Sequence, residues 1–144
     1  MTVEIVNEAT EEFVEAVARL LPQLSRSATA PDADAIHAML ANPGMDQFVF
    51  RSTVDGSIVG LLSLITFSIP TGVRAWIEDV VVDEAARGQG AGRALVQASV
   101  ARAHERGARS VDLTSRPSRE AANRLYQACG FETRTTNVYR HSAD

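Results

Sequence analysis

Apolar residues recur along the chain with two periods, which predict strands and helices in succession. An apolar residue at every second position is typical of a half-buried strand, whereas spacings of three and four place apolar residues on one helix face. Thr10 can cap the first helix, and the Asp55-Gly56 pair is typical of a hairpin turn. The pattern predicts strands over Thr2 to Asn7, Asp46 to Thr53 and Ser57 to Phe67, and helices from Thr10 to a last turn or kink at Pro22 and over Pro31 to Asn42.

The middle of the chain contains a strand, a glycine-rich turn and a helix in direct succession. Trp76 to Val82 is rich in β-branched residues, which is typical of a strand buried on both faces. Three glycines spaced two apart follow in Arg87 to Gly92, and helical spacing continues from Ala91 to Arg106. The first N–H groups of a helix have no intrahelical acceptor and carry partial positive charge, so this turn predicts a site for a phosphate-bearing ligand. Arg87 and Arg93 flank the turn and can add charge to a diphosphate site.

Two known types of phosphate-binding loop do not fit this turn. A nucleotide-hydrolysing P-loop needs a lysine followed by serine or threonine after its glycines, and no lysine lies near them here. A dinucleotide-binding fingerprint needs G-x-G-x-x-G early in a βαβ unit, whereas this turn reads G-x-G-x-G and lies past mid-chain. An ordinary loop between a strand and a helix therefore remains as the alternative to a phosphate site of another kind.

A further strand and helix follow the glycine turn. Arg109 to Thr114 predicts a short strand, and Ser118 to Cys129 predicts a helix that ends at Gly130-Phe131. Tyr126 lies on this helix, four residues before Gly130. Phe131 to His141 then predicts two short strands around Thr135-Thr136-Asn137.

Composition and charge exclude several classes of function. A chain of 144 residues has the length of one domain that can bury its own core. The net charge of −4 argues against a general nucleic-acid binder, whose affinity would depend on clustered lysine and arginine. Without an apolar stretch of membrane-spanning length or a signal peptide, we expect no membrane partner and a cytoplasmic location. Cys129 is the only cysteine, which excludes an internal disulfide, and no spacing of histidines and carboxylates predicts a metal site.

The glycine turn and the second helix together resemble the Gcn5-related N-acetyltransferase family. Arg87, Gly90 and Gly92 stand in the three defining places of its R/Q-x-x-G-x-G/A signature, and Tyr126 before Gly130-Phe131 matches the second half of its coenzyme A site. The resemblance covers nearly the whole chain and implies an α/β fold in a single N-acetyltransferase domain over residues 1–144. It implies a mixed, mostly antiparallel sheet of about seven strands, splayed between strands 4 and 5 and flanked by about four helices.

The resemblance implies that the phosphate-bearing ligand is acetyl-coenzyme A. In the family, the helix N-terminus receives the pyrophosphate, and free backbone groups of the splayed strand bind the pantetheine arm and the acetyl carbonyl. By position these backbone groups belong to Val80, Val81 and Val82, and the Val80 N–H would polarise the carbonyl. The remaining coenzyme A contacts are expected from Arg87, Gly88, Gln89, Gly90, Ala91, Gly92, Arg93, Asn123 and Tyr126.

The resemblance implies that Tyr126 is the general acid of the reaction. A phenol with a pKa near 10 stays protonated at neutral pH and can donate its proton to a departing thiolate. The alternative is a helix tyrosine that only packs beside Phe131.

Glu78 is the candidate base that takes the proton of the acceptor amine, directly or through water. A carboxylate in an apolar strand needs a purpose or a partner, and the alternative is a salt bridge to an arginine such as Arg74. On a regular strand Glu78 shares a face with Trp76 and Val80, whereas Asp79 points the other way unless a bulge intervenes.

The chain departs from the commonest family pattern before the tyrosine. Many members carry an asparagine seven residues earlier, where this chain has Arg119. Asn123 is the candidate replacement, because residues three apart share a helix face. Arg119 would then meet a phosphate of coenzyme A or be solvated.

The reaction expected from the resemblance is direct transfer of an acetyl group to a primary amine, because the site offers an acid and a base without an activated nucleophile. We expect a small-molecule or peptide amine as the acceptor, with Leu24 to Asp34 and Thr133 to Asn137 lining its pocket. A homodimer is compatible with the resemblance, since some members pair through their last strands. The alternative function is a coenzyme A-binding regulatory or partner-dependent module, which would have an occluded or absent amine pocket.

Overall fold

The computed structural model describes residues 2–143, which form a five-stranded sheet flanked by four α-helices. The mixed α/β class and the four helices agree with the sequence prediction. The Thr10 hydroxyl caps the first helix and accepts a hydrogen bond from the Phe13 N–H at 3.2 Å, and Pro22 lies in the last turn of that helix. The elements are β1 (Val3–Val6), α1 (Glu11–Leu24), α2 (Ala33–Leu40), β2 (Met45–Arg51), β3 (Ile58–Ile69), β4 (Gly72–Val82), a 3₁₀ turn (Glu84–Ala86), α3 (Ala91–Glu105), β5 (Val111–Asp112) and α4 (Glu120–Ala128).

The strands lie in the sheet in the order in which the chain forms them. Neighbours from β1 to β4 run antiparallel, and β5 runs parallel to β4. The β4–β5 ladder has only two pairs, Ala75 with Val111 and Trp76 with Asp112. Because this pairing stops at Trp76, the rest of β4 has no β5 neighbour. The sheet thus separates at the predicted place, between its fourth and fifth strands.

Two hydrophobic clusters hold the helices against the two faces of the sheet. Phe13, Leu20 and Ile36 of α1 and α2 are buried on one face. Leu95 and Val96 of α3 are buried on the other face, where α4 also packs. Full burial of each such side chain contributes about 1.5–3 kcal/mol, so packing rather than helix propensity holds these helices in place. Residues of β4 belong to both clusters, so this strand is packed on both faces. Within residues 2–143, no helix combines the length and the hydropathy needed to cross a membrane.

A β-bulge interrupts β4 at Asp79. Glu78 pairs with Ser63 and Val81 pairs with Leu61, so two residues of β4 oppose a single residue of β3. Asp79 has φ = 50°, in the left-handed region that aspartate tolerates better than most residues with a side chain. The bulge therefore inserts one residue into the alternation of β4.

The bulge exchanges the two faces of β4. Ile77 packs in the cluster beneath α3, and after the bulge Val80 and Val82 pack against that same cluster. Val81 joins the cluster beneath α1 instead. The regular alternation that would have placed Val80 on the face of Glu78 is therefore broken.

The segment Phe131 to His141 forms no strand, so the two strands predicted there were wrong. Along this segment the last backbone hydrogen bond to the preceding chain runs from the Phe131 N–H to the Tyr126 carbonyl at 3.0 Å. Residues 132–143 are exposed, including Val138 at 72% and Tyr139 at 88%. A strand needs a neighbouring ladder and a face to bury, and the β-forming residues of this segment have neither. The sheet consequently has five strands and not about seven.

Candidate active site

A cleft of about 1090 Å³ opens beside β4, beyond the point where β5 stops pairing with it. One wall of the cleft is β4 itself, through Val80, Val81 and Val82. The glycine turn lies at one end, and the loop before α4 forms the facing wall together with α4. The strand and the turn predicted to bind one ligand therefore line one cavity.

The glycine turn presents the start of α3 to the cleft. Gly88 and Gly90 have φ angles of 89° and 73°, in the left-handed region that glycine adopts without steric cost. Gly90 is the N-cap of α3, and its carbonyl accepts the Ala94 N–H at 3.0 Å. The N–H groups of residues 91–93 precede that bond and have no acceptor within the helix. A Cβ added at Gly88 or Gly90 would meet nothing within 4 Å, so the cleft is open beside these N–H groups.

Two other residues of the turn serve packing and anchoring. A Cβ at Gly92 would lie 3.0 Å from Leu125 Cδ2, so this glycine lets α3 approach α4 closely. The Gln89 side chain turns away from the cleft towards the β2–β3 hairpin. Its Oε1 accepts the Thr53 N–H at 3.0 Å, and its Nε2 donates to Ser52 Oγ at 3.3 Å. Gln89 therefore connects the glycine turn to the β2–β3 hairpin through hydrogen bonds.

Within the described part of the chain, four arginines line the cleft. Arg87 and Arg93 flank the glycine turn, whereas Arg116 and Arg119 lie on the facing wall. Glu84 is the only acid among these lining residues, and it lies 3.9 Å from Arg87 with both side chains 80% exposed. The cleft is therefore positive in a chain of net charge −4, which favours a ligand with several negative charges.

Tyr126 lies where the cleft meets a second pocket of about 150 Å³. The residue is 7% exposed, and its ring packs edge-on against Phe131 with the two ring centroids 6.1 Å apart. Burial raises the pKa of Tyr126 above its usual value near 10, and the positive charge of Arg119 acts against this rise. The phenol is therefore protonated at neutral pH and lines both cavities.

The smaller pocket is lined by two carboxylates. Glu78 and Asp79 line it together with Tyr126 of α4. The Trp76 Nε1–H donates a hydrogen bond to Glu78 Oε1 at 2.7 Å. No arginine within residues 2–143 pairs with Glu78, so the alternative salt bridge to Arg74 is not formed. These two acids directly precede the residues of β4 that line the larger cleft.

The structure separates the two candidates for the family's asparagine position. The Asn123 Nδ2–H donates to the Arg116 carbonyl at 3.0 Å and fastens the loop before α4, and Asn123 is not among the residues that line either cavity. Arg119 lines both cavities. Arg119 rather than Asn123 therefore reaches the junction where Tyr126 lies.

Several residues that the sequence did not single out individually also line the site, among them Leu24, Thr114 and Ser115. Thr114 and Leu24 line both cavities, and Leu24 begins the stretch expected to line the acceptor pocket. Ser115 Oγ is buried beside the cleft without a hydrogen-bond partner among the described residues. The only sequence signal for this pair of hydroxyls is their position at the polar end of a short apolar strand. None of Thr133 to Asn137 lines either cavity.

The part of the chain that the structure describes contains no group of three or more histidine, cysteine, aspartate or glutamate side chains that could hold a metal ion.

Solved structures share this fold over nearly the whole chain. The "Putative acetyltransferase" of Agrobacterium tumefaciens str. C58 is 26% identical, with 99% of this chain and 100% of that chain covered and a TM-score of 0.85. A transcriptional regulator from Bacillus halodurans C-125 is 29% identical, with coverage of 97% and 99% and a TM-score of 0.76. An aminoglycoside acetyltransferase from an uncultured soil metagenomic sample shares the fold at 20% identity, with coverage of 97% and 95% and a TM-score of 0.81.

None of the curated protein sequences matches this chain. Residues 4–131 match the model of the acetyltransferase (GNAT) family. That match includes β4, the glycine turn, α3 and α4, which are the elements that form the cleft. The chain therefore belongs to the GNAT family of acetyltransferases.

Proposed function

We propose that this protein transfers an acetyl group from acetyl-coenzyme A to a primary amine by direct attack. The observation that carries the proposal is the position of Tyr126, which lines both the arginine-rich cleft and the pocket that Glu78 and Asp79 also line. An acid that lines both cavities and a base that lines one of them support a reaction in which donor and acceptor meet between the two cavities. Acetyl-coenzyme A would supply the acetyl thioester.

The cleft fits coenzyme A by its charge and its backbone geometry. The N–H groups of residues 91–93, with Arg87 and Arg93 beside them, would hold the pyrophosphate. The side of β4 that β5 leaves unpaired, from Val80 to Val82, would hydrogen-bond the amides of the pantetheine arm. The cleft volume of about 1090 Å³ suits a ligand of this length.

The chain's own groups supply charge stabilisation and proton transfer. The Val80 N–H would donate to the carbonyl oxygen that becomes negative during attack. Tyr126 would give its phenolic proton to the departing sulfur, because burial keeps the phenol protonated at neutral pH.

Glu78 would take the proton that the amine must lose, directly or through a water molecule. Its Oε1 is held by Trp76 at 2.7 Å, which orients the carboxylate and leaves Oε2 for the acceptor side. Glu78 and Asp79 together attract a cation, so the acceptor would be an amine that arrives protonated. A module that only binds coenzyme A needs no such pocket, and the pocket beside Tyr126 speaks against that alternative.

The proposal is tested by calorimetric titration with acetyl-coenzyme A, followed by thiol release with a panel of small amines and peptides with free N-termini. We expect Tyr126→Phe to bind acetyl-coenzyme A as the wild type does and to lower turnover by about 100-fold or more. Tyr139→Phe is the matched control, because Tyr139 is 88% exposed and lines neither cavity. A Tyr126→Phe variant with full turnover would remove the acid role, and a wild type that does not bind acetyl-coenzyme A would remove the whole proposal.

A further inference from the structure

We infer that Arg119 is a positioning residue that acts through Tyr126, by presenting its guanidinium charge to the phenol at the junction of the two cavities. The inference rests on the proposed role of Tyr126 as the proton donor. When the phenol gives up its proton, the O–H bond of Tyr126 breaks and an S–H bond forms on the departing thiol. The phenolate left behind is stabilised by the adjacent positive charge until it takes a proton from solvent.

Arg119 is an exposed residue whose backbone is held by two hydrogen bonds. The Arg119 N–H donates to the Arg116 carbonyl at 3.0 Å, and the Arg119 carbonyl accepts the Asn123 N–H at 2.9 Å. Arg119 is the N-cap of α4 and lies seven residues before Tyr126. Since seven residues make nearly two helical turns, both residues lie along almost the same line of the helix. Arg119 and Tyr126 accordingly line the same two cavities.

The charge of Arg119 is not neutralised by a neighbouring acid. Among the described residues Arg19, Arg51 and Arg102 form salt bridges, whereas no carboxylate lies within salt-bridge distance of Arg119. Glu78 and Asp79 line the smaller pocket with Tyr126 and do not line the larger cleft. The other charged residues besides Arg119 line the larger cleft alone. The charged residues that line these cavities besides Arg119 are Glu78 and Asp79 from β4, Glu84 and Arg87 from the segment between β4 and α3, Arg93 from α3 and Arg116 from the loop before α4.

Arg119 opposes an effect that would otherwise weaken the acid. Burial raises the pKa of Tyr126, and a phenol whose pKa lies far above that of the thiol donates its proton less readily. The nearby guanidinium lowers the same pKa, because it favours the phenolate over the phenol. Arg119 therefore keeps a buried phenol closer to the acidity that proton donation requires.

The test is a spectrophotometric titration of the Tyr126 phenol, and it needs no turnover. Tyr126 and Tyr139 are the two tyrosines of the chain, so a Tyr139→Phe background leaves Tyr126 as the only phenol. In that background, we expect Arg119→Gln to raise the midpoint of phenolate absorbance by about 0.5–1 pH unit at low salt, and by less at high salt. Circular dichroism of the same samples confirms that the chain is still folded at each pH.

Two matched variants separate charge from structure. Arg119→Lys keeps the positive charge and should titrate close to the background. Arg116→Gln removes a charge from the same loop, but Arg116 lines only the larger cleft, so the Tyr126 midpoint should not change. In the assay of turnover we expect Arg119→Gln to lower kcat by about two- to tenfold with little change in KM for acetyl-coenzyme A, and to move the alkaline limb of the pH profile upwards.

The inference is overturned if Arg119→Gln leaves the phenol midpoint unchanged, whatever else it does. Weaker binding of acetyl-coenzyme A with an unchanged midpoint would make Arg119 a phosphate ligand. Equal midpoints and equal binding would make it a solvated side chain. Failure of the proposed function would be seen in a different experiment. A Tyr126→Phe variant with full turnover would refute the acid role of Tyr126, whereas the effect of Arg119 on the phenol is tested by the titration alone.

Discussion

Replacing Gly90 with alanine separates the backbone's need for glycine from the ligand's need for space. Gly90 is the N-cap of α3 with φ = 73° and ψ = 22°, a conformation that costs a residue with a Cβ about 1–2 kcal/mol. The added methyl group would meet no protein atom within 4 Å, so no clash is added to this backbone cost. In a domain of 144 residues, a loss of about 1 kcal/mol lowers the unfolding midpoint by about 3–5 °C.

The same methyl group should weaken ligand binding by more than it weakens folding. It would occupy the open space beside the N–H groups of residues 91–93, where we place the pyrophosphate. Losing one charge-assisted hydrogen bond there costs about 1.5–3 kcal/mol, which corresponds to an increase in Kd of about 10- to 150-fold. We expect calorimetric titration of Gly90→Ala with acetyl-coenzyme A to show a loss in this range.

Gly107→Ala provides the matched control for this experiment. Gly107 has φ = 85° and a Cβ there would also meet nothing within 4 Å, but Gly107 follows the far end of α3 and does not line the cleft. Its thermal unfolding should therefore shift as that of Gly90→Ala does, while its affinity stays that of the wild type. Equal affinities for the two variants would refute the placement of the phosphates at the start of α3.

Substitutions at three further positions test individual contacts and backbone conformations. Gly92→Val should lower the free energy of unfolding in urea by about 1–3 kcal/mol, because a Cβ would lie 3.0 Å from Leu125 Cδ2; an unchanged value would mean that α4 moves aside freely. Asp79→Val should lower the free energy of unfolding by about 1–2 kcal/mol in the same assay, because φ of Asp79 is 50°. Asp79→Gly should leave the free energy of unfolding unchanged, since glycine adopts this φ freely. Equal losses in the two variants would contradict the positive φ at the bulge. Hydrogen bonds from Arg51 lower the pKa of Glu12, so this pair stabilises the fold above the unfolded pKa of glutamate near 4.3 and loses that effect as the pH falls. Glu12→Gln should therefore reduce the drop in Tm between pH 7 and pH 3. An unaltered drop in Tm would mean that the pair does not contribute to stability.

The local parts of the fold were predictable because local chemistry determines them. Thr10 caps α1 through its own hydroxyl, and Gly88 and Gly90 adopt positive φ angles that few other residues tolerate. The failure at Phe131 to His141 has the opposite cause. Its β-forming residues express a preference that only a neighbouring strand can satisfy, and no such neighbour lies in the described chain.

The positions of the site residues also divide into those that local helix geometry predicts and those that depend on contacts distant in sequence. A spacing of three placed Asn123 near the face of Tyr126, but a local hydrogen bond to the Arg116 carbonyl engages its amide. The spacing of seven brings Arg119 closer to the line of Tyr126, because two turns of a helix return almost to the starting direction. The direction of the Gln89 side chain depends on the hairpin that lies beside it, which the order of residues along the chain does not reveal.

The bulge at Asp79 explains how one strand can serve two cavities. Without it, alternation would place Val80 on the face of Glu78 and turn Val81 towards α3. With one inserted residue, Glu78 and Asp79 line the smaller pocket, while Val80 and Val82 pack on the α3 side. The bulge lies between the carboxylate proposed to act on the amine and the backbone proposed to hold the thioester, so the conformation of one residue sets their relative position. The positive φ of Asp79 therefore points to a role of this residue in the site, because a regular strand would have kept Val80 on the face of Glu78.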